Sequence, residues 1–144
     1  MTEQAQPIFN IEKIYVKDLS IEVPGAPKIF LEPDAPQLDV QVGSQGEQIG
    51  EDAYQCVLTL TVTAKIKDKI AFLVEVQQAG VFRIQNLPAE AMEPTLMVAC
   101  PNILFPYGRE AVSDAVIRAG FPPLLLQPVN FEATYLQQKQ QASS

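Results

Sequence analysis

The clearest pattern in the chain is an alternation of apolar and polar residues over residues 54–66. Apolar side chains occupy every second position, and most positions between them hold threonine, glutamine or lysine. A period of two predicts a β-strand with one buried face, and β-branched threonines suit the solvent-exposed face of a sheet. The residues expected to share the buried face are Tyr54, Cys56, Leu58, Leu60, Val62, Ala64 and Ile66.

Three further segments alternate in the same way and predict the rest of a sheet. Residues 11–23 predict a first strand with Asp18 and Glu22 on its polar face. Residues 70–78 predict a third strand, and residues 81–85 predict a short fourth strand beyond an Ala-Gly pair. The short connections between the last three strands indicate antiparallel pairing.

The segment between the first two strands, residues 24–53, is rich in proline and glycine. A connection of this length predicts a crossover arm or a mobile binding loop. It carries Ile29, Phe30, Leu38 and Val40, which is more apolar surface than a solvated linker needs. We therefore expect these side chains either to be covered or to cover a partner.

The last third of the chain has a helical period. A short helix is expected to open at Pro88 or Pro94 and to end before Cys100-Pro101. Residues 107–119 predict a longer helix that ends at a glycine, with a stripe of small side chains that includes Ala111 and Ala115. Small side chains permit close packing, and the sequence leaves open whether the stripe packs inside the chain or against a second copy.

A last helix is expected to begin after Asn130, whose side chain suits the N-cap position. Phe131 and Tyr135 are its apolar anchors. The fold class is therefore α+β, with a four-stranded antiparallel sheet, a long crossover loop, and C-terminal helices packed on one face.

Length and composition bound the domain count. The chain has 144 residues, of which 47% are hydrophobic and 19% are charged, a globular composition with room for one core. We expect a single domain over residues 1–144, with residues 1–8 and 139–144 flexible. The N-terminal sequence lacks a secretory signal pattern and no apolar run could span a bilayer, which predicts a cytoplasmic protein without membrane insertion.

Charge and residue usage exclude several functions. The net charge is −7, and residues 1–53 account for it with ten acidic and three basic side chains. This argues against nucleic acid as a partner. The chain has no histidine and two widely spaced cysteines, which removes histidine-based triads and the common metal sites. We therefore expect no catalytic residues, no metal and no cofactor, and a binding protein rather than an enzyme.

Four segments are similar to the SecB family of bacterial protein-export chaperones. They read IYVKDLS over residues 14–20, VQQAGVF over residues 76–82, CPNILFPYGRE over residues 100–110, and PVNF over residues 128–131. The resemblance runs from about Phe9 to Gln138. The third segment is long enough to be highly specific.

The resemblance implies an ATP-independent holding chaperone. Such a chaperone binds unfolded precursor proteins, keeps them translocation-competent and delivers them to the SecA motor, as a homotetramer built as a dimer of dimers. Positions matching the family's SecA-binding patch are Asp18, Glu22, Leu73 and Glu75. Positions matching those that affect assembly are Val74, Val76 and Gln78, and the small residues Ala111 and Ala115 are added to the candidate oligomer interface.

Candidates for a client-binding groove are the apolar residues of the crossover segment and of the last helix, namely Ile29, Phe30, Leu38, Val40, Phe131 and Tyr135. The chain departs from the family in having no tryptophan and no run of acids in its tail. Two alternatives stay open: a SecB-like chaperone of a toxin–antitoxin system, and a small-molecule binding domain without chaperone activity.

Overall fold

The computed structural model describes residues 5–143, with side chains described through residue 141. The chain forms one four-stranded sheet followed by helices. The strands are β1 (Ile8–Glu22), β2 (Gln37–Gln48), β3 (Ala53–Ile66) and β4 (Lys69–Gln85), and the helices are α1 (Ala89–Pro94), α2 (Cys100–Arg118) and α3 (Phe131–Ser143), with a 3₁₀ turn over Lys28–Leu31 and a π turn over Thr95–Ala99. The predicted fold class is confirmed.

All neighbouring strands are antiparallel, and their order across the sheet is β1-β4-β3-β2. We call the face that α2 covers the inner face and the opposite face the outer face. The alternation predicted for β3 is confirmed, because the alternate side chains from Cys56 to Ile66 are at most 5% exposed. They form the inner-face core together with β4 and α2.

The prediction of two strands in residues 70–85 is wrong, because β4 is one continuous strand of 17 residues. Gly80 does not interrupt the ladder but pairs with Cys56 on one side and Ile14 on the other. A Cβ atom at Gly80 would lie 2.9 Å from the Phe82 ring and 3.1 Å from Leu104. The glycine therefore permits close packing of α2 on the strand rather than a turn.

Strand β2 lies within residues 24–53, the segment that the sequence predicted as a crossover arm or a mobile loop. Strand β2 pairs with β3 along its whole length, from Gln37 opposite Lys65 to Gln48 opposite Tyr54. The crossover itself is confirmed in a shorter form, because residues 23–36 carry the chain from one edge of the sheet to the other. An ion pair of 3.5 Å between Lys67 and Glu32 joins this crossover to the β3–β4 turn.

Two β-bulges in β1 change which of its side chains point to the inner face. The register shifts once between Ile11 and Lys13 and again between Val16 and Asp18. Each bulge inserts one residue, so the facing is reversed between them and restored after the second. Tyr15 therefore lies on the outer face, whereas Leu19 lies on the inner face, although strict alternation without bulges would place both on one face.

The helical layer is longer than the sequence predicted, because the chain does not end a helix at Cys100-Pro101. In the π turn before α2, the Cys100 N–H donates to the Thr95 carbonyl, five residues earlier. This wider turn lets the chain continue past Pro101, which has no N–H to donate. The predicted end of α2 is confirmed, since Gly120 follows it with a φ of +97°.

The predicted start of α3 is also confirmed. The Asn130 side chain accepts a 2.9 Å hydrogen bond from the Ala133 N–H, which is an N-cap. The helix continues to Ser143, and β1 begins at Ile8. Flexibility of residues 1–8 and 139–144 stays a prediction, and residues 1–4 and 144 lie outside the described part of the chain.

Candidate binding surfaces

Helix α2 packs chiefly against the two central strands of the inner face. In one transverse row, Val74 on β4 and Val62 on β3 are fully buried, whereas Val40 on β2 is 43% exposed. Close contact of α2 with the centre of the sheet is possible because a Cβ atom at Gly108 would lie only 2.9 Å from Leu60. Several inner-face apolar side chains on the edge strands are therefore left exposed.

Strand β2 contributes a strip of such side chains. Leu38, Val40 and Val42 are partnered with Ala64, Val62 and Leu60 of β3, so all three point to the inner face. Their exposed fractions lie between 37% and 44%. We call these three residues the β2 apolar strip. The sequence predicted Leu38 and Val40 as client-binding candidates but missed Val42, although it continues the same alternation.

The crossover candidates Ile29 and Phe30 differ in accessibility. Ile29 is 4% exposed and belongs to the core, so it offers no surface to a client. Phe30 is half-exposed, and its ring packs 5.2 Å from Phe121, which in turn packs 4.9 Å from Phe72. Phe30 therefore lies in an aromatic stack at the C-terminal end of α2 and remains accessible.

The α3 candidates, Phe131 and Tyr135, are buried anchors. Phe131 is 7% exposed, with its ring 6.1 Å from that of Phe105, and Tyr135 is 8% exposed. Both side chains line a pocket of about 110 Å³ that lies between α3 and residues 42–44 of β2. The structure thus brings α3 next to one end of the β2 apolar strip.

All four predicted SecA-binding residues lie on the outer face. After the second bulge, Glu22 is partnered with Leu73, and Ser20 is partnered with Glu75. Asp18 and Glu22 lie on the same face because their positions differ by four, an even number, in regular strand. The Thr61 hydroxyl on β3 donates a 2.9 Å hydrogen bond to Glu75. Glu22 and Glu75 therefore flank the partly buried Leu73 on the face opposite the helices, and Asp18 lies further along β1 on the same face.

Arg83 adds no free positive charge to this end of the outer face. Its guanidinium lies near the other end of β4 and forms a 2.7 Å ion pair with Glu12. That hydrogen bond, with the attraction of the Glu12 charge, raises the pKa of Arg83.

The residues predicted for an oligomer interface are buried inside the chain. The list is Val74, Val76, Gln78, Ala111 and Ala115, and none is more than 9% exposed. The two alanines belong to the core beneath α2, and the Gln78 amide donates a 3.1 Å hydrogen bond to the Tyr15 carbonyl. Their surface is already covered, so a role in assembly would act through the shape of the subunit. That role stays a prediction.

The two cysteines meet beneath the start of α2, where both are buried. The Cys56 thiol lies 3.9 Å from the Leu96 carbonyl, to which it donates. A hydrogen bond between the two thiols, followed by burial, raises the pKa of Cys100 far above its ordinary value. Cys100 is therefore a protonated, packing side chain.

No helix within residues 5–143 is long and apolar enough to cross a bilayer.

The family model described as preprotein translocase subunit SecB matches residues 2–142. A protein-export protein SecB from Dechloromonas aromatica is 62% identical over 141 residues, covering 98% of this chain and 93% of the relative. The protein of the same name from Nitrosospira multiformis is 61% identical over 142 residues, covering 99% and 89%.

Among solved structures, a SecB-like chaperone from Mycobacterium tuberculosis, in complex with a ChAD peptide from an antitoxin, is similar with a TM-score of 0.70. Its sequence is 18% identical, and the match covers 84% of this chain and 90% of that chain. At this identity the likeness concerns the fold.

Proposed function

Because the chain belongs to the SecB family of protein-export chaperones, we propose that it binds unfolded precursor proteins without ATP and delivers them to SecA. The observation that carries this proposal is the apolar inner-face surface that α2 leaves uncovered at the β2 edge. Leu38, Val40 and Val42 lie at alternate positions of this edge strand, and all three are exposed on the inner face. Such a strip suits a ligand that is extended, apolar and variable in sequence.

The affinity would come from burial summed over many weak contacts. Each Å² of apolar surface removed from water contributes about 25 cal/mol, so a few half-exposed side chains give a weak site. One unfolded polypeptide can occupy such sites on several subunits, and each additional site is engaged at a high effective concentration. Phe30 extends the available surface at the other end of the inner face.

The proposed SecA contact lies on the outer face, at Asp18, Glu22, Leu73 and Glu75. Exposed ion pairs contribute about 0.2–1 kcal/mol each, so several acids acting together would be needed. Leu73 would exclude water beside them. Because client and SecA would use opposite faces of one sheet, a client-loaded chaperone would keep its SecA surface open.

Assembly into a homotetramer, a dimer of dimers, is supported by the other edge of the sheet. The inner-face side chains Ile11, Val16 and Leu19 of β1 are each more than 40% exposed. Strand β1 is an edge strand, so its backbone could also pair with another strand. We propose that a second subunit covers this edge, and that the protein acts in the cytoplasm.

The export role is favoured over an antitoxin-dedicated role because relatives of about 60% identity carry the export name.

Reduced and carbamidomethylated ribonuclease A, which cannot refold without its disulfides, tests client binding directly. We expect the chain to bind this unfolded protein, but not native ribonuclease A, in the absence of nucleotide. Equal binding of the native and unfolded forms, or binding of neither, would contradict the proposal.

A further inference from the structure

The hydroxyl of Tyr135 is buried without a hydrogen-bond partner among the residues that the structure describes. Tyr135 itself is 8% exposed, and its ring packs within the inner layer on α3. Buried polar groups are nearly always paired, since an unpaired one forfeits its hydrogen bonds to water. A phenylalanine would fill the same space without that cost, so packing alone gives no reason for the hydroxyl.

The surroundings of Tyr135 have the character of a binding pocket. The pocket of about 110 Å³ has apolar walls from Val42, Met97 and Phe131 and polar side chains from Ser44, Thr134 and Gln138. Engineered cavities of about 150 Å³ accept a molecule of the size of benzene, so this pocket suits one small apolar side chain. It adjoins the β2 apolar strip, because Val42 belongs to both.

We propose that the Tyr135 hydroxyl binds the main chain of a client segment whose apolar side chain enters this pocket. The inference rests on the proposed function and names a specific contact within it. A hydroxyl both donates and accepts, so it can pair with either an amide N–H or a carbonyl oxygen. Every residue of a client carries these groups, and the contact is therefore independent of client sequence.

The unpaired hydroxyl destabilises the free protein, and a hydrogen bond to a bound client would remove that destabilisation. The hydroxyl oxygen is not exposed to solvent in the free protein, so a client reaches it only by displacing the atoms that cover it. Removal of the hydroxyl should then have two opposite effects. The free protein should become more stable, and the complex with the client should become weaker.

The test compares Tyr135→Phe with the wild-type chain and with Tyr107→Phe. Tyr107 is a matched control because it is half-exposed on α2 and does not line the pocket. The probe is reduced and carbamidomethylated ribonuclease A, titrated by calorimetry. We expect the Kd of Tyr135→Phe to rise about threefold to tenfold, as for the loss of one hydrogen bond. Its thermal midpoint should rise by about 2–4 °C, and Tyr107→Phe should change neither value.

An unchanged Kd for Tyr135→Phe, with or without a higher thermal midpoint, would overturn the assignment and leave the proposed function standing. An equal loss of affinity in Tyr107→Phe would also overturn it, because the effect would not belong to the pocket. If the wild-type chain fails to bind the unfolded probe, the proposed function itself fails and this contact is refuted with it.

Discussion

Thr61 holds the Glu75 carboxylate on the outer face through a 2.9 Å hydrogen bond across the β3–β4 ladder. The residues beside Glu75 on the same strand, Val74 and Val76, are fully buried on the inner face beneath α2. One strand therefore carries part of an acidic surface on one side and the centre of the core on the other. This separation allows changes to either face to be tested without disturbing the other.

Client binding should depend on the β2 apolar strip. The change Val40→Asp places a charge on the strip, and we expect it to weaken binding of the unfolded ribonuclease probe at least fivefold, because burying an unpaired charge is costly. The control is Gln41→Asp, which adds the same charge to the neighbouring position on the outer face. Equal losses of affinity, measured by calorimetry, would show that the strip is not the client surface.

Assembly should depend on the exposed inner-face side chains of β1. We expect Leu19→Asp to reduce the mass measured by light scattering at micromolar concentration, because the charge would be buried by a second subunit. Ser20→Asp, on the outer face of the same strand, should leave the mass unchanged. A wild-type chain that is already monomeric, or a Leu19→Asp variant of full mass, would contradict assembly through this edge.

The packing of α2 on the sheet should depend on Gly108. A valine there would drive its Cβ toward Leu60, which lies 2.9 Å from the ideal Cβ position, and we expect a loss of about 1–3 kcal/mol in the free energy of unfolding. Gly43→Val is the control, since a Cβ there meets nothing within 4 Å and valine favours a strand. Urea denaturation measures both, and a Gly108→Val variant of wild-type stability would refute the close approach.

Stability should fall at alkaline pH through Cys100. The hydrogen bond with Cys56, together with burial, raises the pKa of Cys100, so the folded state keeps its proton while the unfolded state loses it above the ordinary value of 9.0. The free energy of unfolding should therefore decrease above pH 9, by about 1.4 kcal/mol at pH 10 relative to a Cys100→Ala variant. Parallel pH profiles for the two proteins would show that Cys100 ionises equally in both states.

The sequence predicted the strands whose apolar and polar residues alternate strongly. It failed for elements whose form depends on packing against the rest of the fold. Strand β3 is covered on its inner face along nearly its whole length, so its side chains alternate and reveal it. Strand β2 lies at an edge that α2 does not cover, and its glycines resemble those of a loop. Proline-rich α2 continues through a π turn whose hydrogen bond, from Cys100 to Thr95, no periodicity reveals.

The candidate sites follow the same division. The outer-face positions of Asp18 and Glu22 were predictable because both follow the last bulge of β1. The burial of Ile29, Phe131 and Tyr135 was not, because it depends on where the crossover and α3 pack against the sheet. Apolar residues identify a surface that must be covered, but the sequence does not say whether the chain or a partner covers it.

We propose that SecA and unfolded clients bind opposite faces of the same sheet. The most direct measurement is calorimetry of the Asp18→Asn, Glu75→Gln double variant with SecA and with the unfolded ribonuclease probe. We predict a weaker SecA affinity at low salt, a difference that shrinks as salt screens the charges, and an unchanged affinity for the probe. Unchanged SecA affinity, or a parallel loss of probe binding, would contradict binding at opposite faces.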